Sequence, residues 1–188
     1  MKSCFRKWVL GIIAAAFIAA PVFGEEAEKN AEQAANAVFA DLSYTLLGAL
    51  SGGGGLGVVY ERMISERISA LAGINFLLTE KQNFSMFEFG GSLQARYYPS
   101  GSAISQFFIA LTAEYQSFKI GFQGKDYKSD VFSVSPMAGW KKIFGNKGFF
   151  VEPALGFAFR FGEINMPNDI YIPLKSGLVF ALGMGAAF

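Results

Sequence analysis

From Ala40 to the end of the chain, apolar residues recur at every second position, a period that belongs to β-strands rather than to an amphipathic helix. Gly, Ser, Asn, Pro and charged residues break the pattern into eight segments, approximately 40–50, 55–62, 67–78, 84–98, 106–118, 127–141, 148–161 and 174–188. Most match the roughly 9 to 11 tilted residues with which a strand crosses a bilayer, and exceed the roughly 5 to 6 of a common globular strand. Connections after the even segments (63–66, 99–105, 142–147) read as tight turns. Two after odd segments (119–126 and 162–173) are longer and charged, as in a barrel with short turns at one end and loops at the other. Residues 51–54 depart from this by being short.

The two faces of these segments differ in kind. In the seventh, Phe149, Val151, Pro153, Leu155, Phe157 and Phe159 oppose Glu152, Ala154, Gly156, Ala158 and Arg160. In the fifth, Phe107, Ile109, Leu111, Ala113 and Tyr115 oppose Gln106, Ala110, Thr112, Glu114 and Gln116, and the fourth sets Phe87, Phe89, Leu93 and Tyr97 against Glu88, Gly90, Ser92, Gln94 and Arg96. The sixth sets Phe132, Val134, Pro136, Ala138 and Trp140 against Ser133, Ser135, Gly139 and Lys141. A soluble barrel turns its apolar face inward and a membrane barrel turns it outward. A narrow lumen cannot hold both the bulky and the polar sets, so the bulky set is assigned to lipid. The expected fold is all-β, an eight-stranded antiparallel up-and-down transmembrane β-barrel. Closure suits hydrocarbon, where every backbone N–H and C=O needs an internal partner. Two aromatic girdles follow, one from Tyr44, Tyr60, Tyr97, Phe107, Trp140, Phe149 and Phe188, the other from Phe76, Phe87, Tyr115, Phe132 and Phe159.

Residues 1–24 read as an export signal: Lys2, Arg6 and Lys7 precede the apolar stretch from Val9 to Ala20, and Val22-Phe23-Gly24 offers a cleavage site. Residues 25–39 read as a periplasmic segment, helical or disordered, and residues 40–188 as the barrel. Removing residues 1–24 takes away three of the 16 basic residues and none of the 15 acidic ones, leaving 13 against 15 and a net charge of −2. That balance argues against nucleic-acid binding. Cys4 precedes the apolar stretch, so it is not placed for lipidation, and the exported part has no cysteine for a disulfide or metal.

The last residues, Phe180 to Phe188, alternate and end in Phe, and here the chain resembles outer-membrane barrel proteins, in architecture the small OmpA-like, OmpX-like and OmpW-like barrels. Their final aromatic is read by the barrel-assembly machinery with a Gly five positions earlier, matched by Phe188 and Gly183; Ala186 and Ala181 stand where that pattern usually has an aromatic and a polar residue. The resemblance covers roughly residues 40–188. It implies insertion among outer-membrane lipids with the C-terminus in the periplasm and the longer loops extracellular.

The candidate chemistry is an inward network of Glu61, Glu88, Arg96, Glu114, Lys141, Glu152 and Arg160, since charges in a narrow lumen must pair or meet water. Two readings stay open: a salt-bridged plug, giving a structural or adhesin-like barrel that contacts a host surface ligand, or a polar path that passes a small solute. The last strand turns only Gly177, Val179, Ala181, Gly183, Gly185 and Ala187 inward, either to make room for long side chains or to line a hydrophobic passage. The 162–173 loop, with Ile164, Met166, Ile170 and Tyr171, is a candidate contact surface. Catalysis is not expected. The chain has no His, so a Ser-His-acid site cannot be built, and the Glu88 and Glu114 carboxylates have no evident substrate cleft. No metal site or cofactor is expected.

Overall fold

The computed structural model describes residues 35–81, 84–100, 106–122, 124–144, 148–166, 170–173 and 176–188, with backbone alone over 163–173. The expected export signal and the lead-in as far as residue 34 lie outside the described residues. The elements are β1 (Asn36–Asp41), α1 (Leu42–Ser51), β2 (Gly54–Ser65), β3 (Ile68–Lys81), β4 (Phe84–Tyr97), β5 (Gln106–Phe122), β6 (Lys125–Phe144), β7 (Phe149–Met166), β8 (Ile170–Pro173) and β9 (Gly177–Ala187). Strands β1 to β7 pair antiparallel in chain order, and β9 pairs with both β7 and β1. The sheet therefore closes on itself as an eight-stave up-and-down barrel. Strand β8 stands outside the wall, and among the described residues it pairs only with residues 163–166 of β7.

Both termini of the barrel wall, with the β2–β3, β4–β5 and β6–β7 connections, lie at what we call the near end; α1 and the other hairpins lie at the far end. Strand alternation puts Pro153, Leu155, Phe157 and Phe159 of β7 on the exposed outer face and buries Glu152, Ala154 and Ala158. On β5 the outer apolar positions run from Phe107 to Tyr115, and on β6 from Phe132 to Trp140. Beyond them the polarity inverts. Ser117, Lys119, Lys128 and Asp130 take the outer positions, and Phe118, Ile120 and Val131 form a buried inner cluster. The outer apolar surface is thus a belt of finite height. Tyr60, Tyr97, Phe107 and Trp140 sit outward at its near border, and Phe87, Tyr115, Phe132 and Phe159 toward its far one.

Three expectations are corrected. The first strand begins at Asn36, inside the segment read as a lead-in, and residues 42–51, read as strand, are helix α1. Asp41 caps that helix by accepting from the Ser43 N–H at 2.9 Å, and Gly52 ends it in the left-handed region at φ 82°. Leu46, Leu47 and Leu50 fit helical spacing as well as strand spacing, so caps rather than periodicity decide this stretch. Tyr44 is therefore not in a girdle; its hydroxyl points into the lumen. The loops at 119–126 and 162–173 are mostly strand: β5 and β6 continue into a tight hairpin, and β7 runs on to pair with β8. In β5 and β6 the alternation persists with its polarity reversed, which a search for an apolar outer face does not see. Finally, the β6–β7 ladder is interrupted beside Pro136 and Pro153, which have no N–H to offer.

Candidate functional site

The near half of the lumen is filled. Glu61, Arg96, Lys141 and Glu152 meet there, each at most 5% exposed. Arg96 forks onto Glu152, with Nη1 2.7 Å from Oε2 and Nη2 2.6 Å from Oε1, and reaches Glu61 Oε2 at 3.3 Å. Lys141 Nζ bonds Glu61 Oε2 and lies 3.1 Å from Glu152 Oε2. Two carboxylates thus face two cations. Tyr98 Oη donates to Glu61 Oε1 at 2.6 Å and Ser69 Oγ donates to the same oxygen at 2.5 Å. Aromatic faces close the shell: Arg96 Cζ is 4.2 Å from the Phe108 ring centre, and Lys141 Nζ is 4.3 Å from that of Phe150. Phe39 meets Phe150 edge-on at 5.6 Å. Among the described residues, every buried side-chain N or O has a partner.

A network of opposite charges whose buried side-chain N and O atoms all have partners is rigid, and breaking one link strands the rest. Tyr98→Phe removes the hydroxyl that donates to Glu61 and also meets Arg96, while keeping the ring. We expect a loss of about 1.5–3 kcal/mol in the unfolding free energy of the refolded barrel, read from urea titration.

The far half is open. A cavity of about 470 Å³ lies above the network, with Arg96 and Glu152 at its floor and Glu88, Glu114, Gln116, Ser133 and Ser135 in its walls. Tyr44 of α1 reaches across to donate to Glu114 Oε1. Gln116 Nε2 donates to Glu88 Oε1 at 2.8 Å and to Glu114 Oε1 at 3.2 Å, while Asn75 Nδ2 donates to Glu88 at 3.2 Å. Of the seven inward charges read from the sequence, the structure places four in the near network and joins Glu88 and Glu114 through Gln116. Arg160 is half-buried and lines the same cavity, and its backbone N–H donates to Ser176 Oγ at 3.4 Å.

Several participants were not read from the sequence. Tyr98, Phe108 and Phe150 share the inward parity of Arg96, Glu114 and Glu152, so parity alone could have found them; assigning every bulky residue to the outside hid them. Tyr44 was hidden by the unrecognised helix. The small inner face of β9 makes room, but for a neighbour: a Cβ on Gly183 would lie 3.0 Å from the Phe39 ring of β1. Phe188 pairs its backbone with Asn36, its N–H donating to the Asn36 carbonyl at 2.8 Å and its carbonyl accepting from the Asn36 N–H at 2.9 Å. The terminal aromatic thus sits half-exposed on the seam where the barrel closes.

No protein-family model matches the chain, and no curated protein sequence does. Among solved structures, the crystal structure of Neisserial surface protein A (NspA) is similar to it, at 14% identity, covering 82% of this chain and 94% of that chain with a TM-score of 0.44.

Proposed function

We propose that the chain is an integral outer-membrane barrel of the small OmpA-like, OmpX-like or OmpW-like plan that does not conduct ions and acts as a structural or surface-contact barrel. The supporting observation for the membrane is the inside-out arrangement: an apolar belt bordered by aromatic residues surrounds a lumen that holds paired charges. Leu93, Leu111, Leu155 and Phe161 stand exposed on that surface, where burial in hydrocarbon stabilises them. The near end, with Phe188 available to the assembly machinery, is assigned to the periplasm; the β5–β6 hairpin, polar on its outer face beyond the belt, is assigned to the exterior.

The supporting observation for a closed lumen is the near-half network itself. An ion passing it would have to separate buried opposite charges, which costs several kcal/mol. The test is conductance of the refolded protein in planar bilayers, with insertion checked by protease protection of the belt. Silence across ±100 mV, at about 2.3 kcal/mol of driving energy per charge, is expected. Discrete current steps from the unaltered protein would overturn the closed reading and favour solute passage.

A further inference from the structure

The barrel wall has a breach on one side. Strand β1 pairs with β9 only over Ala37–Asp41 against Gly183–Ala187, because the chain turns into α1 after Asp41. Among the described residues, no strand pairs with residues 177–182 of β9 on that side, nor with residues 54–56 of β2 on theirs. Helix α1 stands in the gap and packs mainly on β2, with smaller and equal contact on β3 and β9. Thr45 Oγ1 donates to the Gly55 carbonyl at 3.0 Å, and Ser51 Oγ lies 2.8 Å from Thr79 Oγ1. Toward β9, among the described residues, a polar contact stands at one corner, where the Leu182 N–H donates to Ser43 Oγ at 3.1 Å.

The breach lies at the height of the apolar belt. Phe180 is level with Leu155 of β7, and Leu155 with Ala138 of β6, in the middle of the outer apolar run. Its rims are apolar and more than half exposed: Leu46 and Leu47 on the helix, Leu178 and Phe180 on β9. The same four residues line the 470 Å³ cavity, so cavity and outer surface meet at this mouth. That volume falls within the roughly 300–1,000 Å³ of small-molecule sites. Inside, the lining turns polar. Beyond the self-neutralised near network it carries Asp41, Glu88 and Glu114 against Arg160.

We propose that this mouth is a lateral binding site for a single-chain amphiphile with a cationic head, which enters from the bilayer. The alkyl chain lies between α1 and β9, where the rims match hydrocarbon, and the head sits in the far-half cavity, where acids outnumber bases. The proposal rests on the membrane reading above, and the test separates the two.

The chain with Cys4→Ser carries a single bimane reporter, either at Ser135→Cys, in the cavity wall formed by β6, or at Leu93→Cys, on the exposed belt. Folding is checked by heat-modified electrophoretic mobility, with Ser133→Cys as a second cavity reporter if the first misfolds. The protein is reconstituted in phosphatidylcholine vesicles and titrated with two nitroxide probes, a hexadecyl ammonium labelled at its head and a stearate labelled near its carboxylate. The ammonium probe is expected to quench the cavity reporter saturably, half-saturating at about tenfold lower concentration than the stearate, the ratio that about 1.4 kcal/mol of preference gives. Quenching at Leu93 with none at either cavity position would overturn the lateral site and leave the membrane reading standing. Equal potency of the two probes at the cavity would overturn the cationic assignment and with it the proposal. Absence of quenching at Leu93 would remove the membrane reading itself.

Discussion

Glu61→Ala is expected to cost about 3–5 kcal/mol of unfolding free energy, because it leaves Arg96 and Lys141 buried with Glu152 as their one remaining carboxylate partner. The same change strands the donors of Tyr98 and Ser69, which both point at Glu61 Oε1. The measurement is urea unfolding of the refolded barrel in detergent micelles. A charge-balanced control sharpens it. Replacing Glu61 by Leu together with Lys141 by Met removes one anion and one cation, leaves the Arg96–Glu152 fork intact and fills the space with apolar atoms. That pair is expected to regain at least half of the loss, since buried ion pairs are often replaceable by apolar groups of similar volume. A loss below about 1 kcal/mol in Glu61→Ala would mean that water reaches the network.

Gly185→Ala is expected to lose at least about 3 kcal/mol, the upper end of what overpacking costs, and to weaken the folded band in unheated electrophoresis. The added Cβ would sit 2.1 Å from the Val38 carbonyl oxygen and 2.4 Å from Phe39 Cβ. Both belong to β1, so the methyl cannot be housed by turning a side chain; the strand must move off its partner. Gly177→Ala, on the same strand, meets nothing within 4 Å and is expected to change stability by no more than about 0.5 kcal/mol. Equal behaviour of the two variants would contradict the close approach of β1 and β9.

The wall of the barrel was largely legible in the sequence, because a strand that separates apolar surroundings from a narrow lumen must alternate at every residue. Phe157 beside Glu152 and Ala158, or Leu93 beside Gln94 and Arg96, state the fold almost unaided. What was not legible is where the rule is locally suspended. Residues 40–50 satisfy two periods at once, and Asp41 and Gly52 decide between them by capping. Past Phe118, where the fifth segment was read to end, Lys119 outside and Ile120 inside reverse the polarity of the alternation, so residues 119–126 read as a loop. The inward charges were legible as a set, whereas their partition into a neutral lower group and a more acidic upper one depends on depth along the axis, which strand pairing fixes. Tyr98 and Phe108 were masked by size, since a bulky residue at an inward position was assigned to the outer face whatever its parity.

The seam between β1 and β9 joins five residue pairs near the start of the described chain to its very end. Every other seam links wall strands that follow one another along the chain, β7 and β9 with only β8 between them, so these can pair over short loops while this one waits for the two ends of the described wall to meet. It also carries the fewest rungs among the wall pairings, with a helix standing where further rungs would be. Closing the cylinder is therefore expected to come last in its formation, and the same line is expected to open first under stress.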